Sequence, residues 1–429
     1  MKKLLAVALT LLAVTSFAQQ PAFLAQLAAI RRELREATHA KDHAATQRLL
    51  LQMDRIVPGR SDTAYNLACA YALVGDKDQA LRSLERFAAM GAVADAAADP
   101  DLASLTAEPR FGAVLSQIEE NRRPVSRSRA FATLPDLALL AEDITHNPRT
   151  GDLFVTSILK KKVLRVHQGR VTDFADLSRD PGWPLMAVHA DAARGVLWVT
   201  ASAMPDFAAS PQADYGKALL LKLDLRTGKI LQRIAPPDSE QRSLGDMDIA
   251  PNGDVLVTDS RGAAVYLLPH GASTLRRLDR GEFVSPQTPA VSPDGRFAYI
   301  ADYARGIARM DLRSNELIWL KHPDTVSLAG TDGLALAHDK RHTRLIAVQN
   351  GFNPARVVSL TLGIHGDQVE ALDVLEANYP DLGDPTHAVR VGNELYFIAN
   401  SGWTFLDAKG NVKPATTMTP AIIRKLQLP

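Results

Sequence analysis

Six times between about residue 140 and the C-terminus the chain repeats one unit: a short apolar strand, a turn, and a second apolar strand ending in a small or polar residue. The turn-plus-strand halves are HNPRTGDLFVTS (146–157), HADAARGVLWVTAS (189–202), APNGDVLVTDS (250–260), SPDGRFAYIADY (292–303), HDKRHTRLIAVQN (338–350) and VGNELYFIANS (391–401). Their central residues, Val155, Val199, Val257, Ile300, Val348 and Ile398, recur at spacings of about 43 to 58 residues. A repeat of that length made only of strands and turns predicts a β-propeller with one blade per repeat. The expected fold is an all-β six-bladed propeller over 129–429, with ATTMTPAIIRKLQLP as an outer strand closing the ring against residues near 130–135. Closure removes the exposed sheet edges.

A propeller brings the inner strands of all its blades to one axis. The residue two before the first apolar position of each inner strand therefore faces its counterparts. These are Glu142, Pro184, Gly245, Gln287, Asp332 and Thr386, with His387 beside the last. Glu142 and Asp332 with the amide carbonyl of Gln287 form an oxygen-only set, which suits hard divalent cations: Ca2+ first, with Mg2+, Mn2+ or Zn2+ as alternatives. Carboxylates gathered without a cation repel, and one of them takes up a proton. The alternative is that each residue hydrogen-bonds nearby backbone at a strand start. Asp143, Asp246 and His387 adjoin the ring, and Asp246 and His387 are candidates for substrate contact. A second ring, Ser157, Ala201, Asp259, Asp302, Asn350 and Asn400, reads as turn-closing polar groups. No G-x-S-x-G, H-E-x-x-H, Walker loop or C-x-x-C occurs in the sequence.

The N-terminal part differs in kind. Lys2 and Lys3, an apolar run from Leu4 to Val14 and the small residues of Ser16-Phe17-Ala18 read as a secretory signal over 1–18, placing the protein in the periplasm or outside the cell. The run is too short to span a bilayer. Residues 19–121 read as an all-α domain, with helices near 21–38, 43–56, 63–74 and 77–90 broken at Pro58-Gly59, Gly75-Asp76 and Gly91. Leu67, Ala68, Tyr71, Gly75, Ala80, Leu84 and Phe87 fall at the packing positions of a tetratricopeptide-like repeat, and 99–121 reads as the helix that follows one. This domain is either a protein-docking surface or a packing cap on the propeller or spacer. Residues 122–128, polar and holding Pro124, form the boundary. The inserted stretch AMPDFAASPQADYG (203–216) lies over one face as a loop or lid. With 49 basic against 48 acidic residues, no global field selects nucleic acid or an anionic membrane. The lone Cys69 sits in an apolar pattern and forms no internal disulfide.

The segments PQTPAVSPDGRFAYIADYARGIARMDL (286–312), GTDGLALAHDKRHTRLIAVQNGFNPARVVSL (330–360) and LEANYPDLGDPTHAVRVGNELYFIANSGW (375–403) resemble the gluconolactonase/regucalcin-like six-bladed propellers, bacterial secreted members above all. The resemblance covers about 138–429. It implies a divalent ion held by Glu142, Gln287 and Asp332, with Asp332 also serving as base or water-activating ligand. Two positions depart from the family: Gln287 stands where Asn is usual, and Gly245 where an Asn helps hold ion or substrate, unless Asp246 replaces it. Two functions follow as expectations. One is metal-dependent hydrolysis of a lactone or related ester. The other is a non-catalytic scaffold that binds protein or glycan through residues 20–121 and the propeller surfaces.

Overall fold

The computed structural model describes residues 22–237, 241–338, 342–414 and 417–428, so the expected signal segment lies outside the described residues. Among these the strands form six sheets set around one axis. The inner strands are Ala141–Asn147, Leu185–Asp191, Leu244–Ile249, Pro286–Val291, Leu334–His338 and Ala388–Val391, in blades 1 to 6. Each blade is an antiparallel meander, and apolar clusters between neighbouring blades form the core. The sixth blade closes the ring: Ile422–Gln427 pairs with Glu394–Ile398 on one side and with Arg129–Thr133 on the other. The C-terminal segment is thus the third strand of that blade, and the outermost strand comes from the start of the propeller.

Helices α1 (Ala22–His39), α2 (His43–Ile56), α3 (Ser61–Leu73), α4 (Lys77–Ala89) and α5 (Pro109–Asn121) precede the strands. Asp42 and Asp76 cap α2 and α4 by accepting from Ala45 N and Gln79 N, satisfying first-turn donors. Ala68 and Ala80 are fully buried where α3 and α4 meet, so their backbones approach closely. The stretch 99–121 holds a short 3-10 turn, Pro100–Leu105, before α5 rather than one helix.

The helices dock on the propeller through specific contacts. Phe352, from the loop after the second strand of blade 5, is buried in the helical core with Phe87 and Phe111. Val93 N donates to Asn353 O at 2.9 Å, and Asn353 Nδ2 returns a bond to Val93 O at 2.8 Å. Arg356, 2 % exposed, stacks on Phe352 and donates to Met90 O at the end of α4 and to Gln349 Oε1. The boundary segment also contributes structure: Val125–Ser126 adds a fifth strand to blade 5, and Arg127 pairs with Asp373. Loops that follow second strands lie at the end of the propeller where inner strands begin, because the two strands are antiparallel. The helices therefore flank the mouth onto which the axial ring opens.

Candidate functional site

The inner strands carry a shared irregularity that sets the axial ring. In blade 1, Ala141 pairs with Ser157, but Ile144 pairs with Val155, so one residue is extra on the inner strand. The same step separates Leu185 from Val188, Leu244 from Met247 and Pro286 from Pro289. The bulged pairs are Glu142-Asp143, Met186-Ala187, Gly245-Asp246 and Gln287-Thr288, and Asp332-Gly333 and Thr386-His387 stand at the matching positions of blades 5 and 6. Threonines on the second strands hold the bulges. Thr156 Oγ1 accepts from Asp143 N and donates to Met186 O of the next blade, and Thr200 Oγ1 accepts from Ala187 N and donates to Gly245 O. The register corrects one sequence expectation: blade 2 presents Met186, not Pro184, because the apolar Met186 looks like the first strand residue but is itself in the bulge, and Val188 is the first regularly paired position after it.

Three of these side chains meet. Donor atoms of Glu142, Asp332 and His387 all lie within 4.8 Å of one another, and the residues are 6 %, 9 % and 2 % exposed. Gly333 permits this approach, since a Cβ there would lie 2.5 Å from Thr386 O and 2.9 Å from His387 Cα. His387 Nδ1 stands 2.9 Å from the Glu142 carbonyl oxygen, which can only accept, so Nδ1 carries hydrogen. His387 Nε2 pairs with Asp246 Oδ1 at 3.1 Å, off the line of a well-aligned hydrogen bond. Trp403 Nε1 donates to Glu142 Oε2 at 2.7 Å. Asn350 Nδ2 donates to Asp332 Oδ2 at 2.6 Å, which leaves the buried Asn350 Oδ1 without a partner. Asp246 Oδ2 accepts from Thr288 Oγ1, and Asp143 accepts from Ile144 N and Val188 N.

Four carboxylates and one imidazole thus share a buried volume. Burial, then the neighbouring Asp332, pushes the Glu142 carboxyl well above its usual range. Burial likewise raises Asp143 and Asp332 to about 6, opposed in each case by His387. For His387, burial pulls downward, yet Asp246, Asp143 and Asp332 together hold its pKa well above the usual imidazole value. Such a set needs positive charge among the carboxylates, as protons or as a cation.

Glu142 and Asp332 lie together, and Gln287 donates through Nε2 to Ser285 O and Oγ, contacts that leave its carbonyl oxygen uninvolved. The third member is His387, with Asp246 behind it. Trp403 and Asn350 were not read as site residues. The sequence puts Asn350 in the turn-closing ring, but Gln349 occupies the position of Asp259 and Asp302. In blade 6 it is the second residue of the Thr386-His387 pair, not the first, whose side chain joins Glu142 and Asp332.

Two walls flank the centre. Leu140, Ile158, Phe207 and Leu406 form a buried apolar cluster with Met186, Met204 and Trp403 packed on it. The inserted loop is pinned there by Phe207 against Trp403, with ring centroids 6.0 Å apart, and by Ala208 N donating to Lys409 O. Opposite, a cavity of about 270 Å³ lies between helices and propeller, lined by Arg60, Tyr65, Tyr303, Gly330 and Phe352 among others. Burial, then Asp332, pushes the Tyr303 hydroxyl up to about 12, so it stays protonated.

Fold and site together define a six-bladed β-propeller with a buried acid–histidine centre at one end of its axis. No family model matches the chain, and no curated protein does. Solved structures similar to it include a gluconolactonase from Xanthomonas campestris (15 % identity, 71 % of this chain and 96 % of that one, TM-score 0.45). Others are the calcium-binding protein regucalcin from Agrobacterium tumefaciens (17 %, 70 % and 93 %, TM-score 0.46) and virginiamycin B lyase from Staphylococcus aureus (13 %, 70 % and 99 %, TM-score 0.46). At such identities and overlaps these likenesses carry nothing about the chemistry of the site.

Proposed function

We propose that the axial centre binds one divalent cation through Glu142, Asp332 and His387 and serves to hydrolyse a lactone or related ester outside the cytoplasm. The observation that carries this reading is the cluster itself: a ring nitrogen of His387 and carboxylate oxygens of Glu142 and Asp332 lie within 4.8 Å of one another, with Nδ1–H committed to a backbone carbonyl and Nε2 paired with Asp246 Oδ1 at 3.1 Å. Imidazole ligands of metals are held in this way, by a hydrogen bond from the other ring nitrogen. The fit extends to distance, since an ion about 2.0–2.6 Å from each donor needs donors no more than about 5 Å apart. With an imidazole where the sequence suggested an amide, the donor set is mixed nitrogen and oxygen. That favours Mn2+ or Zn2+ over Ca2+.

When bound, such an ion supplies polarisation of an ester carbonyl and a more acidic water. The chain's own residues do the rest. Trp403 and Asn350 hold the Glu142 and Asp332 carboxylates in one orientation each. Asp332 takes a proton from the attacking water and returns it to the leaving oxygen. The apolar wall of Met186, Met204 and Trp403 keeps bulk water from that side, and Tyr303 offers a neutral hydroxyl at the other. Location outside the cytoplasm rests on the signal-like segment 1–18. Purified protein is expected to hydrolyse simple lactones with added Mn2+ or Zn2+ and to lose that activity in Glu142→Gln and Asp332→Asn. Equal turnover by both variants, at equal metal loading, would show that the chemistry lies elsewhere.

A further inference from the structure

The cavity of about 270 Å³ where the helices meet the propeller is built by both parts of the chain. Its floor is backbone. Gly351 N donates to Gly330 O at 3.1 Å, and a Cβ on Gly330 would stand 2.5 Å from Gly351 C. The exposed Tyr303 ring rests on that floor, since a Cβ on Gly351 would lie 2.5 Å from its Cζ. Tyr65 of α3 and Phe87 of α4 form the helix-side wall, with ring centroids 5.0 Å apart and planes tilted by 59°. Phe352 forms the propeller side, held by the Arg356 guanidinium 3.6 Å from its ring centroid. Most polar groups of the lining are engaged. Arg60 Nε donates to Asp62 Oδ1 and its Nη1 to Ala304 O, the Tyr65 hydroxyl donates to Asp99, and Asn353 Nδ2 donates to Val93 O. Arg60 and Asp62 cancel in charge, so the cavity selects neither an anion nor a cation. Ser327 differs from the rest. It is 1 % exposed, its carbonyl accepts from Gln349 Nε2 at 2.9 Å, and its Oγ is buried without a partner.

We infer that this cavity is a binding site for an uncharged aromatic ring carrying one hydroxyl, with the ring between Tyr65, Phe87 and Phe352 and the hydroxyl on Ser327 Oγ. A buried hydroxyl left unpaired is costly, and a ligand that answers it recovers that cost. Aromatic walls suit a flat apolar ring. Pockets for drug-sized molecules run from about 300 to 1,000 Å³, so this space fits one ring with short substituents. A sugar ring would bring several hydroxyls to walls that can answer few of them, leaving the others unpaired. The site needs no ion and goes beyond the hydrolytic reading. Its ligand touches helices and propeller at once, so occupancy holds the two parts together.

The test titrates the full, metal-free chain with phenol and with toluene, which has the same shape without the hydroxyl, and follows binding by calorimetry. Wild type is expected to bind one phenol per chain. Ser327→Ala is expected to weaken phenol about 10-fold and to leave toluene unchanged, since only phenol loses a hydrogen bond. Ala94→Leu, after α4, and Ala329→Leu, on the propeller side, fill the cavity, and each is expected to lose both ligands; Ser327→Ala carries the test should either fail to fold. No binding of phenol by wild type, equal effects of Ser327→Ala on the two ligands, or phenol binding retained in both leucine variants overturns the site. Tighter binding of D-glucose than of phenol overturns the assignment of the ring. None of these variants alters Glu142, Asp332 or His387, so every outcome is independent of the ion site.

Discussion

The indole of Trp403 donates to a carboxylate that burial has already made costly, so its effect on the site goes beyond packing. Trp403→Phe keeps most of the apolar contact and removes the donor. Loss of a group that orients a ligand typically costs about 10–100-fold in metal affinity, and we expect Trp403→Phe and Asn350→Ala to fall in that range by titration calorimetry. Titration behaviour belongs to the same scale. Asp143 and Asp332 rise from 3.8 to about 6 on folding, so each holds its proton more tightly folded than unfolded. Their contribution is therefore greatest below about pH 4 and is lost as pH rises through 6, by about 3 kcal/mol for each group. His387, raised above its usual value, acts in the same direction, with stability present below 6.5 and lost as pH rises through its folded value. The melting temperature of the ion-free protein is expected to fall from pH 5 to pH 7, and saturating Mn2+ to flatten that slope. A rise across the same interval would contradict the electrostatic account. Glu142 and Asp332 were legible in the sequence as charges at a repeated position. His387 was legible only as a neighbour, because its role depends on Gly333 letting blades 5 and 6 approach.

At the scale of the element, the strands are the most legible feature, because alternation and Pro-Asn-Gly or Pro-Asp-Gly turns write them directly into the sequence. The bulges are not written that way. An extra residue looks like one more strand residue until the pairing is known, which is why Pro184 was expected where Met186 stands. The devices that hold the bulges suggest a sharp test. Thr200 Oγ1 satisfies Ala187 N at 2.8 Å and donates to Gly245 O at 2.6 Å, both buried. Thr200→Val is nearly the same size but leaves both groups unpaired. A cost of about 1–3 kcal/mol for each unpaired group is expected in denaturant unfolding, while Thr227→Val at an exposed turn should change little.

For the molecule as a whole, the helices behave as part of the propeller's mouth rather than as a tethered module. The buried Arg356, whose guanidinium stacks on Phe352 and caps the end of α4, joins the two parts without a carboxylate partner among its hydrogen bonds. Arg356→Ala removes that stacking and leaves Met90 O and Gln349 Oε1 short of a donor. Wild-type protein is expected to melt in a single transition, and the variant in two, as followed by calorimetry. The sequence separated the two parts at 122–128 on polarity, and it could not show that Val125–Ser126 would add to blade 5, because two residues carry no periodicity. Whole-molecule geometry also underlies the central claim, that blades 1, 5 and 6 converge to hold one ion. The most direct measurement is the metal content and Mn2+ affinity of wild type beside His387→Gln and Gln287→Ala. The account predicts one ion per chain in wild type, near-complete loss in His387→Gln, and unchanged binding in Gln287→Ala. Retained binding in His387→Gln with loss in Gln287→Ala would contradict it.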